Sequence, residues 1–168
     1  EVGQDDASLR SKALGFMKEG YQRELQYRHL DGSFSAFGKS DAAGSTWLTA
    51  FVVKTFTDAQ KFIPDTVDND VLIKARAFLE KQIDANGEAL EPKGGRVIHT
   101  EMQGGSGKGN ALTAYVVMAL LQGNQPKSSK VDMAIQHLES ELAGVSDPLT
   151  LALISYVLHM ADSAKAQE

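Results

Sequence analysis

At 168 residues the chain is one domain or part of one, with enough material to bury a sizeable core, and its 42% hydrophobic and 23% charged residues are those of an ordinary globular protein. The net charge of -5, with no Lys/Arg stripe, excludes a nucleic-acid footprint. The absence of cysteine removes disulfides, thiolate metal sites and cysteine nucleophiles from these residues.

In chain order, the first helix is expected to start near Asp6 or Ser8, either of which can cap it. Leu14, Met17, Tyr21 and Leu25 form its stripe at helical spacing, and the turn His29-Leu30-Asp31-Gly32-Ser33 stops it. A second helix is expected over residues 45–61, bounded by Pro64. Its apolar residues (Trp47, Leu48, Ala50, Phe51, Val52, Val53, Phe56) lie nearly all round, the pattern of a buried helix. The third, over 68–83, carries Val71, Leu72, Ala75, Phe78, Leu79 and Ile83 on one face and charge elsewhere, as an outer amphipathic helix does. Asn86-Gly87 is expected to end it with a left-handed cap. A glycine-rich loop follows over 88–109. Residues 110–121 form another helix apolar almost all round, too short to cross a bilayer. After a turn at 123–129 comes an amphipathic helix, 131–142. The last, apolar helix, 149–160, is opened by Asp147-Pro148.

The two kinds of helix alternate, and each kind is self-similar. Leu48-Thr49-Ala50-Phe51-Val52-Val53 matches Leu112-Thr113-Ala114-Tyr115-Val116-Val117 and Leu149-Thr150-Leu151-Ala152-Leu153-Ile154. Ala75-Arg76-Ala77-Phe78-Leu79-Glu80 matches Ala134-Ile135-Gln136-His137-Leu138-Glu139. Repeated hairpins of outer and inner helices build a solenoid or a closed ring, and inner helices apolar on every side favour the ring. The expectation is therefore an all-α fold, an α/α toroid. That layout resembles terpenoid cyclases and protein prenyltransferases. The aspartate-rich motif of the former and the Cys/His/Asp zinc site of the latter are both missing from the chain.

The loop contains GRVIHTEMQGG (95–105), which puts His99 two residues before Glu101 between glycines. Taken alone, a histidine in a loop is at home in water, and Glu101 reads equally well as a solvated carboxylate. Gln103 and Gly104-Gly105 are expected to shape the loop, since glycine permits positive φ. Trp47 and Tyr115 read as core. His29, His137 and His159 fall on separate elements without metal-ligand spacing, so neither metal nor cofactor is expected. The run from Gly104 to Gly109 lacks the Ser/Thr that a phosphate loop needs after Lys108, and no strand precedes it.

Four segments, GYQRELQYRHLDGSFSAFG (20–38), STWLTAFVVKTF (45–56), GRVIHTEMQGG (95–105) and ALTAYVVMALL (111–121), together resemble the thioester domain of the alpha-2-macroglobulin and complement superfamily in order and spacing. The wording is most similar to invertebrate thioester-containing proteins and the GPI-anchored macroglobulin relative. The resemblance covers nearly the whole chain. It implies an α/α toroid with an internal thioester between Cys and Gln in a CGEQ motif, and that motif is absent here. It therefore implies a single partial thioester domain over 1–168, an incomplete ring lacking the reactive bond.

His99 matches the family's catalytic histidine. The resemblance implies that it attacks the thioester, and that the freed thiolate then deprotonates a hydroxyl. Family members with Asn at that position prefer amines. Glu101, two residues on, is expected to hold the imidazole in one tautomer or to polarise it. The implied parent is extracellular, secreted or tethered at the cell surface. It attaches covalently to carbohydrate hydroxyls on target surfaces, or captures proteases, in innate immunity or protease inhibition, and it contacts this domain through its other domains. This fragment alone is not expected to be an enzyme, to bind nucleic acid or to span a membrane. The alternative is a non-catalytic toroid that presents its rim to a protein receptor.

Overall fold

The structure is a computed structural model that describes residues 7–94, 103–123 and 125–167. Six α-helices follow in order: α1 (Ala7–Glu24), α2 (Thr46–Ala59), α3 (Asn69–Lys81), α4 (Gly109–Leu121), α5 (Ser129–Glu141) and α6 (Pro148–Met160). Pairing between extended segments among the described residues is confined to isolated bridges, Arg28 with Phe34, Phe34 with Ser45, and Ile83 with Ala89. The fold is all-α, as expected.

Most helix starts follow local chemistry. Ser45, Asp68, Ser128 and Asp147 each cap a helix by accepting a backbone N–H with the side chain, and Pro148 occupies the first turn of α6. The inner layer is α2, α4 and α6, with α4 packed between the other two; α3 and α5 lie outside them. This is the layered arrangement of an α/α toroid. The outer helices bury the expected faces, Val71, Leu72, Ala75, Phe78 and Leu79 on α3 and Val131, Ala134, Ile135 and Leu138 on α5. Arg76 ties the layers together. Its guanidinium donates to the carbonyls of Leu120 (2.9 Å) and Gln122 (3.1 Å) at the end of α4 and to Thr57 Oγ1 (2.9 Å) on α2. A cation at a helix C-terminus meets carbonyls that have no intrahelical partner.

Three sequence expectations need correction. Gly87 does not cap α3, which ends at Lys81. It belongs to a turn closed by Asp84, whose Oδ1 accepts from the N–H groups of Asn86 (2.8 Å) and Glu88 (3.0 Å). Those bonds, led by the one from Glu88, hold the Asp84 carboxyl below its usual range. Next, an unclosed ring is expected to leave the faces of Leu14, Met17 and Tyr21 and of Leu153 and Val157 without their neighbours; Tyr21 and Val157 are buried, and Leu14, Met17 and Leu153 are half-buried against the core. Tyr21 lies against Phe56 at 4.8 Å, and its hydroxyl accepts the N–H of Asp68. The large exposed apolar side chains of α2 and α6 are Phe51, Leu149, Leu151 and Tyr156. The third correction concerns the repeat itself, which is genuine in two units and superficial in the third.

In the two matching units a threonine hydroxyl does the same task. Thr49 Oγ1 donates to Ser45 O and accepts the N–H of Phe34 at 2.9 Å. Thr113 Oγ1 donates to Gly109 O and accepts the N–H of Ala89 at 3.0 Å. Each inner helix thus holds the turn that precedes it. Each turn in turn seats a glycine at positive φ on the next outer helix: a Cβ on Gly32 would meet the Lys74 backbone at 2.6 Å, and one on Gly87 the Met133 carbonyl at 2.5 Å. Thr150 instead bonds to its own N-cap, Asp147. Thr113→Val keeps the shape and leaves the buried Ala89 N–H unpaired. The expected cost is about 1–3 kcal/mol, read as a lower urea midpoint with an unchanged slope. Thr150→Val keeps the Asp147 cap on the Thr150 N–H and loses only an exposed hydroxyl bond, so it should cost about 1 kcal/mol or less.

Candidate functional site

His99 and Glu101 both lie outside the described residues, which stop at Gly94 and resume at Gln103. The structure does describe the chain on either side of them, and both sides converge on the first turn of α2.

On the leading side, the carboxylate of Glu91 caps α2. It accepts from the N–H groups of Thr46 (2.7 Å) and Trp47 (2.8 Å) and from the hydroxyl of Ser45 (3.0 Å). The first N–H groups of a helix have no intrahelical partner and carry partial positive charge, so an anion is favoured there. Thr46 Oγ1 donates to the carbonyl of Leu90 at 2.7 Å, fixing the adjacent residue as well.

On the trailing side, the indole N–H of Trp47 donates to Ser106 Oγ at 2.8 Å. The same hydroxyl donates to the carbonyl of Gln103 at 2.5 Å, and the Ser106 N–H reaches that carbonyl at 2.9 Å. Gly104 and Gly105 both take positive φ in this turn, as expected. Trp47 is only 8% exposed, and its ring is sandwiched. Phe51 stacks on it at 5.8 Å and Tyr115 of α4 at 5.7 Å, with interplanar angles of 11° and 15°. Burial raises the Tyr115 hydroxyl's pKa above its ordinary value.

Trp47 therefore sits in the core, as the sequence indicates, and its polar edge also links α2 to the chain around residue 106. Sequence reasoning missed Glu91 and Ser106 entirely. The one usable signal was the indole itself, since a buried Trp N–H needs an acceptor.

The remaining histidines stay apart. His29 Nε2 bonds to Ser35 Oγ at 2.7 Å, His137 Nε2 to Asn110 Oδ1 at 3.0 Å, and His159 is on α6. Among the described residues no three His, Asp or Glu side chains converge as metal ligands would. None of the described helices is long and apolar enough to cross a membrane.

The A-macroglobulin TED domain family matches residues 1–168, the whole chain. Ovostatin of Gallus gallus is 34% identical over 95% of the chain and 11% of its own length. Thioester-containing protein 1 allele S1 of Anopheles gambiae is 33% identical over 94% of the chain and 12% of its own length. Complement C3 of Lethenteron camtschaticum is 36% identical over 91% of the chain and 9% of its own length. The chain thus spans about a tenth of the length of the curated relatives it matches.

Proposed function

The chain belongs to the A-macroglobulin TED domain family, and from that membership we propose that it is part of a thioester domain whose parent transfers an acyl group to hydroxyls. Residues 1–168 form one partial thioester domain. The parent supplies the cysteine and glutamine of the thioester, because the chain itself has no cysteine. The observation that carries the reading is a histidine, His99, in the family's segment GRVIHTEMQGG.

The chemistry follows in two transfers. An imidazole nitrogen of His99 attacks the acyl carbon; a C–N bond forms, the C–S bond breaks, and the cysteine leaves as thiolate. The thiolate takes the proton of an incoming hydroxyl. That oxygen attacks the acyl-imidazole, the C–N bond breaks, and the imidazole is restored while the acyl group ends as an ester. Glu101 orients the imidazole. The thioester is consumed, so the parent acts once and is not an enzyme in the turnover sense. The parent works outside the cell, secreted or tethered, in innate immunity or protease inhibition. Its targets are carbohydrate hydroxyls or captured proteases, and this domain packs against the parent's other domains.

Two incubations test the proposal. The chain by itself, incubated with methylamine or glycerol, should gain no adduct by mass spectrometry. The full-length parent should incorporate one methylamine and release one titratable thiol. A parent that does neither overturns the acyl-transfer reading. In that event the rim-docking alternative takes its place; Leu9 and Phe16 on α1 are among the exposed apolar side chains it could use.

A further inference from the structure

We infer that the groove between α1 and α2 is the seat of one further apolar helix, supplied by the parent from outside these residues and carrying a hydrogen-bond donor for Glu24. The inference rests on the partial-domain reading above and names what that groove receives.

The first two units of the repeat correspond by fixed shifts in number. Adding 55 takes the bridge Arg28–Phe34 onto Ile83–Ala89 and Gly32 onto Gly87. Adding 64 takes Thr49 onto Thr113. In the second unit α3 and α4 together receive α2, which packs against both. In the third, α5 and α6 receive α4 in the same way. Each outer–inner pair thus holds the inner helix of the unit before it. Among the described residues the pair α1 and α2 holds none. An open, mostly apolar groove of about 480 Å³ runs between them.

Met17, Gly20 and Glu24 of α1 and Phe51, Thr55 and Ala59 of α2 line that groove. Their counterparts in the second unit are Leu72, Ala75 and Leu79 of α3 and Tyr115, Ala119 and Gly123. Leu72, Ala75, Leu79 and Ala119 are buried. Tyr115 stacks on Trp47 of α2, and a Cβ on Gly123 would meet Thr57 of α2 at 2.9 Å. In the first unit, by contrast, Gly20, Phe51 and Thr55 are exposed, and Met17, Glu24 and Ala59 are half-buried.

Two residues of the groove define the occupant further. Gly20 lies inside α1, where glycine weakens a helix, yet it has no positive φ and a Cβ there would meet nothing within 4 Å. A residue without a side chain at that point admits a closely packed neighbour. Glu24 is half-buried with no hydrogen bond or ion pair among the described residues, and burial raises its carboxyl above the ordinary range. Covering it further requires a donor. Asp58, which also lines the groove, already has one in Lys61 Nζ at 2.8 Å. A second copy of the chain has no inner helix to offer. Its α2 and α4 are packed into their own grooves, and its α6 carries the tail Ala164–Gln167. The occupant is therefore a helix of the parent.

The chain has no cysteine, so Thr55→Cys places a reporter thiol in the groove. Iodoacetamide should label it at least about tenfold more slowly in the full-length parent than in the chain alone, read by peptide mapping. Phe62 is an exposed ring on the same groove. Replaced by p-benzoylphenylalanine in the parent, it should cross-link on irradiation to a segment with the apolar period of a helix in the same molecule. Gly20→Leu should act with opposite signs in the two settings. In the chain alone it should raise the melting temperature by about 1–4 °C, because glycine inside an open helix costs stability. In the parent it should speed labelling of the Thr55→Cys thiol, because the new side chain fills the seat. Glu24→Leu should also speed labelling in the parent, and Glu24→Gln less.

Equal labelling in parent and chain overturns the seat. So does a cross-link to a second copy, recognised with isotope-labelled protein, or to a segment without helical period. Unchanged labelling in Glu24→Leu overturns the donor. None of these readouts needs a reactive thioester. A parent that takes up no methylamine therefore removes the acyl-transfer reading and leaves the seat standing, whereas an unprotected groove in a parent that does take up methylamine removes the seat alone.

Discussion

On the proposed acyl-imidazole route, His99→Asn in the full-length parent is expected to shift transfer from hydroxyl to amine acceptors and to lengthen the life of the activated thioester in water. Removing the imidazole removes the acyl-imidazole and, with it, the free thiolate that would deprotonate a hydroxyl. Water and glycerol are too weakly nucleophilic to attack the thioester quickly unaided, whereas methylamine attacks it directly. A positioned acid–base or nucleophilic group is worth roughly 10²–10⁴ in rate. The glycerol-to-methylamine ratio should therefore fall by about a hundredfold or more. Glu101→Gln should lower the ratio less if Glu101 orients the ring, and leave it alone if the carboxylate is solvated. The measurement is the incorporation of each labelled acceptor after activation. An unchanged ratio in His99→Asn makes His99 an ordinary loop residue.

Phe34→Ala is expected to destabilise the chain by about 3–5 kcal/mol. Phe34 has no exposed surface. Its ring meets Phe56 edge-on at 6.0 Å, and its backbone bridges Arg28 on one side and Ser45 on the other. Truncation opens a cavity under the turn that seats Gly32 on α3, and the same turn leads into the N-cap of α2. For a domain of this size each kcal/mol is worth about 2–4 °C in melting temperature, so the fall is easily measured by calorimetry. Phe34→Leu, which refills most of the volume, should recover more than half of it. A loss below about 1 kcal/mol for the alanine variant would mean that the site collapses freely and is not the packed hub the geometry indicates.

Part of this molecule is legible in its primary structure. The α3 stripe of Val71, Leu72, Ala75, Phe78 and Leu79 is buried as a unit, because a 3.6-residue period is a local property that each residue expresses through its neighbours. Ser45, Asp68 and Asp147 cap helices for the same reason: a cap reaches only two or three residues along the chain. The similarity of α2 to α4 also survives, down to the shared duty of Thr49 and Thr113. Where short-range pattern and packing part company, the pattern misleads. Thr150 repeats the motif without a preceding turn to hold, so its hydroxyl falls back on Asp147. Asn86-Gly87 has the composition of a helix cap. The glycine is needed instead because Met133 leaves no room for a Cβ.

The sequence by itself determined the alternation of buried and one-faced helices, the family, and the candidate pair His99 and Glu101. The first follows from local periodicity, and the others from motifs contiguous in the chain. Only the tertiary structure decided what the described residues before and after that pair in the chain bond to. The Trp47 indole finds its acceptor 59 residues away in Ser106, and Ser45 finds Glu91 46 residues away. A hydrogen bond between distant residues leaves no period and no spacing to read. It exists because packing α2 against α4 brings a buried donor within reach of an acceptor, and a buried donor left unpaired would cost about 1–3 kcal/mol.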